Sequence, residues 1–193
     1  RGSGAFRTAI FAPVVTSTVA AGMAFVFLLD HDRGVVNDAL AALGFARVRF
    51  LQHEGWAMAG VAVMTIWKQA GYNMVLFIAG LQGIPESCYE AAALDGAQGG
   101  WRRFRHVTFP LLWPTTFFVL VISSIQAFRS FEPMYAMTRG GPVGATTTLV
   151  YYVFDQAFRC GNMGAAAAAS AVLAVLVLAL TFLQFRYRGG DRG

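Results

Sequence analysis

Two sets of polar residues interrupt otherwise apolar stretches of this sequence. Thr65, Lys68, Gln69 and Tyr72 recur at i, i+3, i+4 and i+7, which puts them on one face of a helix. Ser123, Gln126, Ala127 and Ser130 repeat the spacing further along. Hydroxyls, amides and an aromatic ring suit a sugar, which offers hydroxyl groups and apolar ring faces. The same residue types also bond one transmembrane helix to another. Lys68 has three other uses: to snorkel, to pair with Glu132, or to meet an anionic ligand such as a phosphorylated polyol. Arg129 and Glu132 read as an interfacial pair. Bond-making chemistry is not indicated. The chain has no G-x-x-x-x-G-K-[ST] loop to cradle a triphosphate. His31, His53 and His106 are scattered, without metal-ligand spacing. We therefore expect no enzyme activity, no metal and no cofactor of the chain's own.

The elements that carry these residues are long and greasy. Of 193 residues, 56% are hydrophobic and only 13% charged, against about 25% charged in a soluble domain. A bilayer-spanning helix needs roughly 20 mostly apolar residues. Four windows qualify, near Ala5–Leu29, Gly55–Gln82, Phe109–Phe131 and Met163–Phe185. They are too long, and too apolar on all faces, for buried helices of a soluble protein. Phe6–Leu29 is not a signal peptide, since its apolar stretch is long and no A-x-A site follows. The reading is one all-α domain over 1–193, a polytopic transmembrane bundle of about four spans. The first span begins almost at once, after an arginine, so we expect at least one earlier span to be missing.

The net charge is +5, but the arginines cluster beside spans, which points to membrane orientation and not to nucleic acid. Arg1 and Arg7 flank the first window, Arg102, Arg103 and Arg105 lie between the second and third, and Arg186, Arg188 and Arg192 follow the fourth. The alternate loops are mixed in sign. Positive-inside bias places both termini and Tyr89–Arg105 on the cytoplasmic side of the membrane. Cys88 and Cys160 then fall on opposite sides and do not pair.

Between the second and third windows lies "PESCYEAAALDGAQGGWRRFRHVTFP". Pro85 suits the first position of a helix, Glu86 sits where the helix dipole favours an acid, and the alanines are strong helix formers. Gly96 supplies a left-handed stop. A second brief helix, "WRRFRHVTF", is expected to end at Pro110. Such a segment can lie on lipid as an interfacial turn. Its order argues for docking instead: Ala91 and Ala92 leave a shallow surface, and Glu90 and Asp95 beside them suit a partner's basic groups.

"EAAALDGA" followed by "WRRFRHVTFP" resembles the EAA loop of ABC importer permeases. Glu90, Ala91, Ala92, Gly96 and Pro110 match its pattern, with Val107 and Phe109 at positions often held by Ile and Leu. Gln98, Gly99 and Gly100 separate "DGA" from the tryptophan, one residue more than the pattern has. "IWKQAGYNMVLFIAGLQGIPESCYEAAALDGA" and "FEPMYAMTRGGP" resemble the carbohydrate-uptake branch (the maltose and glycerol-phosphate type), with Arg139 where glycine is common. The resemblance covers nearly the whole chain. It implies a MetI-like fold, a second permease subunit, a cytoplasmic ATPase dimer that binds the ATP, and an external substrate-binding protein. It also implies that Glu86–Gly96 is a coupling helix.

The sequence therefore reads as the permease subunit of an importer for a sugar or related polyol. Thr65, Lys68, Gln69, Tyr72, Ser123, Gln126 and Ser130 would line the path, and Glu90, Ala91, Ala92, Asp95 and Gly96 would meet the ATPase. The alternative is a non-transport assembly subunit, or a passive channel, using the same loop as a docking site. The small-residue run "GAAAAAS" of the fourth window reads as a close-packing face, and Asn37 as a packing or capping residue.

Overall fold

A computed structural model describes residues 3–94 and 99–189. Within these residues all regular structure is helical. Helices α1 (Ser3–Val15) and α2 (Thr18–Leu28) occupy the first apolar window. They are not one straight span, as the window alone implies: their axes meet at 104°. The cause is local. Pro13 lies inside α1 and brings no N–H. The Thr16 hydroxyl then donates to the Pro13 carbonyl at 2.7 Å, and the Ser17 side chain caps α2 by accepting from Ala20 N.

A short helix α3 (Val35–Ala42) leads to α4 (Glu54–Gln82), 29 residues long and so roughly 40 Å from end to end. Then come α5 (Glu86–Leu94) and α6 (Gly100–Arg103). A single π turn, Phe104–Thr108, joins α6 to α7 (Phe109–Phe128). Beyond α7 lie α8 (Glu132–Met137), α9 (Leu149–Phe154) and α10 (Met163–Gly189).

The "WRRFRHVTF" segment is therefore not a separate brief helix. It is the first part of one continuous helix, Gly100–Phe128. Pro110 does not end it because the turn before it is widened: Phe109 N–H reaches back to Phe104 O. The expected clash of a proline ring with the preceding turn is relieved by that loosening.

By length and apolarity two helices can cross a membrane, Gly100–Phe128 and Met163–Arg186, and the bent pair α1–α2 makes a third if taken as one broken span. Four was the expectation from windows. The difference is α4, long enough but diluted by the polar residues that make its interest.

The core of buried residues lies at the end of the bundle away from α5. Ala21, Leu29, Val61, Met64, Met134, Met137 and Tyr151 pack there, under an aromatic cluster of Phe131, Tyr135, Tyr151 and Phe154. Asn37 is fully buried and ties two connections together. Its amide donates to Asp30 O and Val48 O, both at 2.9 Å, and its Oδ1 accepts from Val48 N at 2.8 Å. Its role is therefore cross-linking, not helix capping. Beside it the Asp30 carboxylate accepts from the backbone N–H of Arg33 and of Asp32. These bonds hold its pKa below the ordinary carboxylate value. The turn is thus fully bonded above that ordinary value and loosens only as pH falls through the depressed one.

α10 begins at a side-chain cap, Asn162 Oδ1 accepting from Ala165 N. It packs against α9, and Ala166 and Ala169 of the small-residue run are buried. Arg139 has φ +51°, in the left-handed region, which explains why glycine would suit that position. Replacing Asn37 with Leu removes the side-chain partner of the Val48 carbonyl and N–H, and one of the two donors to the Asp30 carbonyl, which keeps the Gly34 N–H. It should cost about 2–4 kcal/mol, read as a lowered thermal unfolding midpoint in detergent micelles.

Candidate functional site

α4 crosses its neighbours closely at glycines. A Cβ on Gly71 would run into the Ile10 carbonyl and the Phe11 backbone of α1, and one on Gly80 would run into Thr115 of α7. These approaches bring α4 against α1 on one side and α7 on the other, and a cavity of about 460 Å³ opens between them. Val14 and Thr18 contribute from either side of the α1–α2 bend, and Phe131, Glu132 and Pro133 from the start of α8.

The two polar faces converge on this cavity. Thr65, Lys68, Gln69 and Tyr72 line it from α4, Gln126 from the end of α7 and Ser130 from the link just after it. Ser123 is not among the lining residues. Among the described residues no side-chain hydrogen bond joins the two faces to each other; the side-chain bond between long helices is elsewhere, Gln184 Nε2 to Ser124 Oγ at 3.0 Å, linking α10 to α7. Thr65 Oγ1 donates to Val61 O within its own helix.

Lys68 does something else. Its Nζ donates to the carbonyls of Thr16, at 2.6 Å, and Pro13, at 3.1 Å. These carbonyls lie at the break after α1, where the helix dipole favours a cation, and the Pro13 carbonyl also accepts from the Thr16 N–H and hydroxyl. The expected pairing with Glu132 does not form, since the ion pairs of the described residues are Arg47–Asp38 and Arg159–Asp155. For the same reason Arg129 and Glu132 are not an interfacial pair. Both instead line the cavity, beside the α1–α2 elbow. Sequence periodicity missed the elbow's contribution; the signal was there in Pro13 followed by Thr16, Ser17 and Thr18.

The second set of residues lies at the far end of the molecule. Glu90, Ala91 and Ala92 are on α5, whose residues are all at least partly exposed, Leu94 at 90%. Asp95 and Gly96 lie outside the described residues. α5 is fastened to the helix that follows through one side chain. Tyr89 OH is 3.3 Å from Thr108 Oγ1, and the Arg103 guanidinium lies over the Tyr89 ring at 4.8 Å. Glycine does form the corner before α6, Gly99 preceding its first turn. Cys88 and Cys160 are both free thiols.

The comparisons with known proteins agree with this architecture. The family model described as "Binding-protein-dependent transport system inner membrane component" matches residues 1–187. The chain belongs to that family, one of transport proteins and not of enzymes, and it is a multi-pass membrane protein with the MetI-like permease fold.

Among similar chains is the sn-glycerol-3-phosphate transport system permease protein UgpA of Agrobacterium fabrum, 43% identical over 188 residues, covering 97% of this chain and 64% of that protein. The protein of the same name from Yersinia pseudotuberculosis is 41% identical, covering 97% and 63%. A solved bacterial ABC transporter "involved in the import of the acidic polysaccharide alginate" superposes with a TM-score of 0.87 at 26% identity, over 98% of this chain and 66% of that one. A bacterial alginate ABC transporter in complex with an alginate pentasaccharide-bound periplasmic protein gives 0.84 at 27% identity, over 94% and 63%. The chain spans a little under two thirds of the length of the curated relatives it matches.

If Lys68 serves chiefly to close the α1 carbonyls, Lys68→Met should lower stability by about 1–3 kcal/mol, measured by thermal unfolding of the purified chain. A lysine that only met ligand would leave the midpoint unmoved.

Proposed function

We propose that this chain is a transmembrane permease subunit of an ABC importer, carrying a sugar or related polyol across the inner membrane. It would pair with a second permease, receive substrate from an external binding protein and be driven by a cytoplasmic ATPase dimer. ATP would be bound by the partner, and the α5 end of this chain would face the cytoplasm, as the arginine distribution favours.

The observation that carries the coupling part is α5 itself. It is a helix with no fully buried side chain, yet it is tied through Tyr89 to the base of a membrane-crossing helix. A partner that displaces α5 therefore displaces Gly100–Phe128. Because the end of that same helix lines the cavity at Gln126, movement at one end would reach the other. Glu90 is exposed on α5 and is free to meet a basic group.

The cargo reading rests on the cavity. Gln69, Tyr72 and Gln126 present an amide, a phenol and a second amide to it, a set that bonds polyol hydroxyls. Arg129 and Lys68 against Glu132 leave one positive charge in excess. An anionic polyol is therefore favoured over a neutral one. The cargo named for the relatives, sn-glycerol-3-phosphate, and that named for the structural neighbours, an acidic polysaccharide, are both anions.

In the full subunit with its partners, Glu90→Lys should abolish uptake and ATPase co-purification while the protein remains in the membrane. Uptake and association both at the unsubstituted level would refute the coupling role. Arg129→Gln should weaken transport of an anionic polyol by roughly tenfold or more, as expected for loss of a charge-assisted bond. Uptake assays with a neutral sugar as the reference should show little change.

A further inference from the structure

The helix that begins at Gly100 carries a stripe of aromatic rings on its outside. Trp101 stacks on Phe104 with ring centroids 5.8 Å apart, Phe104 meets Phe109 at 6.2 Å, and Phe109 meets Trp113 at 6.2 Å. All four are exposed. In an ordinary α-helix, residues five apart do not lie over one another. Phe104 and Phe109 meet here because the π turn joins residues five apart, Phe109 N–H bonding to Phe104 O. The same turn that accommodates Pro110 thus makes the aromatic stripe continuous.

Arginines flank the start of the stripe. Arg102 and Arg105 are exposed and make no ion pair or side-chain hydrogen bond among the described residues. Arg103 is held over Tyr89 instead, and His106 turns its ring nitrogen to Arg102 O at 3.0 Å. The stripe runs from these cations into the apolar part of a helix able to cross the membrane. Cations at the rim with apolar rings leading inward match an amphiphile with an anionic head and hydrocarbon tails.

We propose that this face binds one anionic phospholipid, its phosphate group on Arg102 and Arg105 and an acyl chain along Phe104, Phe109 and Trp113. Charge complementarity selects a lipid over an apolar protein segment, which would leave two guanidinium groups uncompensated at its edge. Tryptophan at Trp101, beside the arginines, suits the interfacial depth of such a head group.

The test uses the full chain in a neutral detergent, titrated with phosphatidylglycerol or with phosphatidylcholine and read by native mass spectrometry. The unsubstituted chain should retain one phosphatidylglycerol in preference to phosphatidylcholine. The Arg102→Gln, Arg105→Gln double variant should lose that preference by roughly thirtyfold, two cations each contributing about fivefold. Arg33→Gln with Arg49→Gln, equal in charge change but at the opposite end, should leave it intact. Phe104→Leu, which keeps an apolar side chain but breaks the ring stack, should weaken retention of both lipids alike. Equal retention of the two lipids by the unsubstituted chain would overturn the proposal. So would equal loss in both double variants, or arginine protection appearing only when a soluble protein partner is added.

Discussion

The contact on which the rest of the molecule depends is the seat of α1 on α4. Gly71 has no side chain, so the backbone of α1 approaches to the point where a methyl group would overlap the Ile10 carbonyl. Three residues earlier, Lys68 adds a charged donor to the carbonyls of Pro13 and Thr16. The two together seat against α4 the break that Pro13 and the Ser17 cap set locally. A broken helix inside a membrane exposes backbone groups that lipid cannot satisfy; here the neighbouring helix supplies the missing donor. The cavity opens beside that break, bordered by Val14 and Thr18 on either side of it and by the α4 polar face.

The α5 end is built on the opposite plan. Its helix buries little and holds on through one tyrosine, bonded to Thr108 and covered by Arg103. A cation–π contact at an exposed site is worth about 0.5–1 kcal/mol, so the attachment adds little to stability. The π turn lies immediately beside it. Such turns recur at functional positions in helices, and here one turn serves two ends: it admits Pro110 and aligns the aromatic rings.

Much of this was legible in the residues. The 3.6-residue spacing of Thr65, Lys68, Gln69 and Tyr72, and of Gln126 and Ser130, located one cavity wall from each helix, because periodicity survives folding unchanged. Pro85, Glu86 and the alanines after Glu90 announced the short helix, because capping and propensity act locally. Where the reading failed, tertiary context decided. The window from Ala5 to Leu29 is uniformly apolar, and hydropathy is blind to a bend that one proline and three hydroxyl residues introduce. Pro110 was taken as a terminator by local rules, yet a π turn lets the helix run on. Lys68 reads from sequence as a snorkelling residue or the partner of an anion, whereas its partners are backbone carbonyls more than fifty residues away in sequence, which no spacing argument reaches. Ser123 kept helical register with Gln126 but falls outside the cavity.

The loop after α8 is braced from several directions. Tyr151 OH bonds to Arg139 O at 2.6 Å, and the buried Thr146 is shared between Thr138 Oγ1, at 2.6 Å, and Gly141 O, at 2.9 Å. Asn37 fastens the connections on the same side of the bundle. One extremity is therefore cross-linked by buried side-chain hydrogen bonds, whereas the helix at the other is held through a single tyrosine.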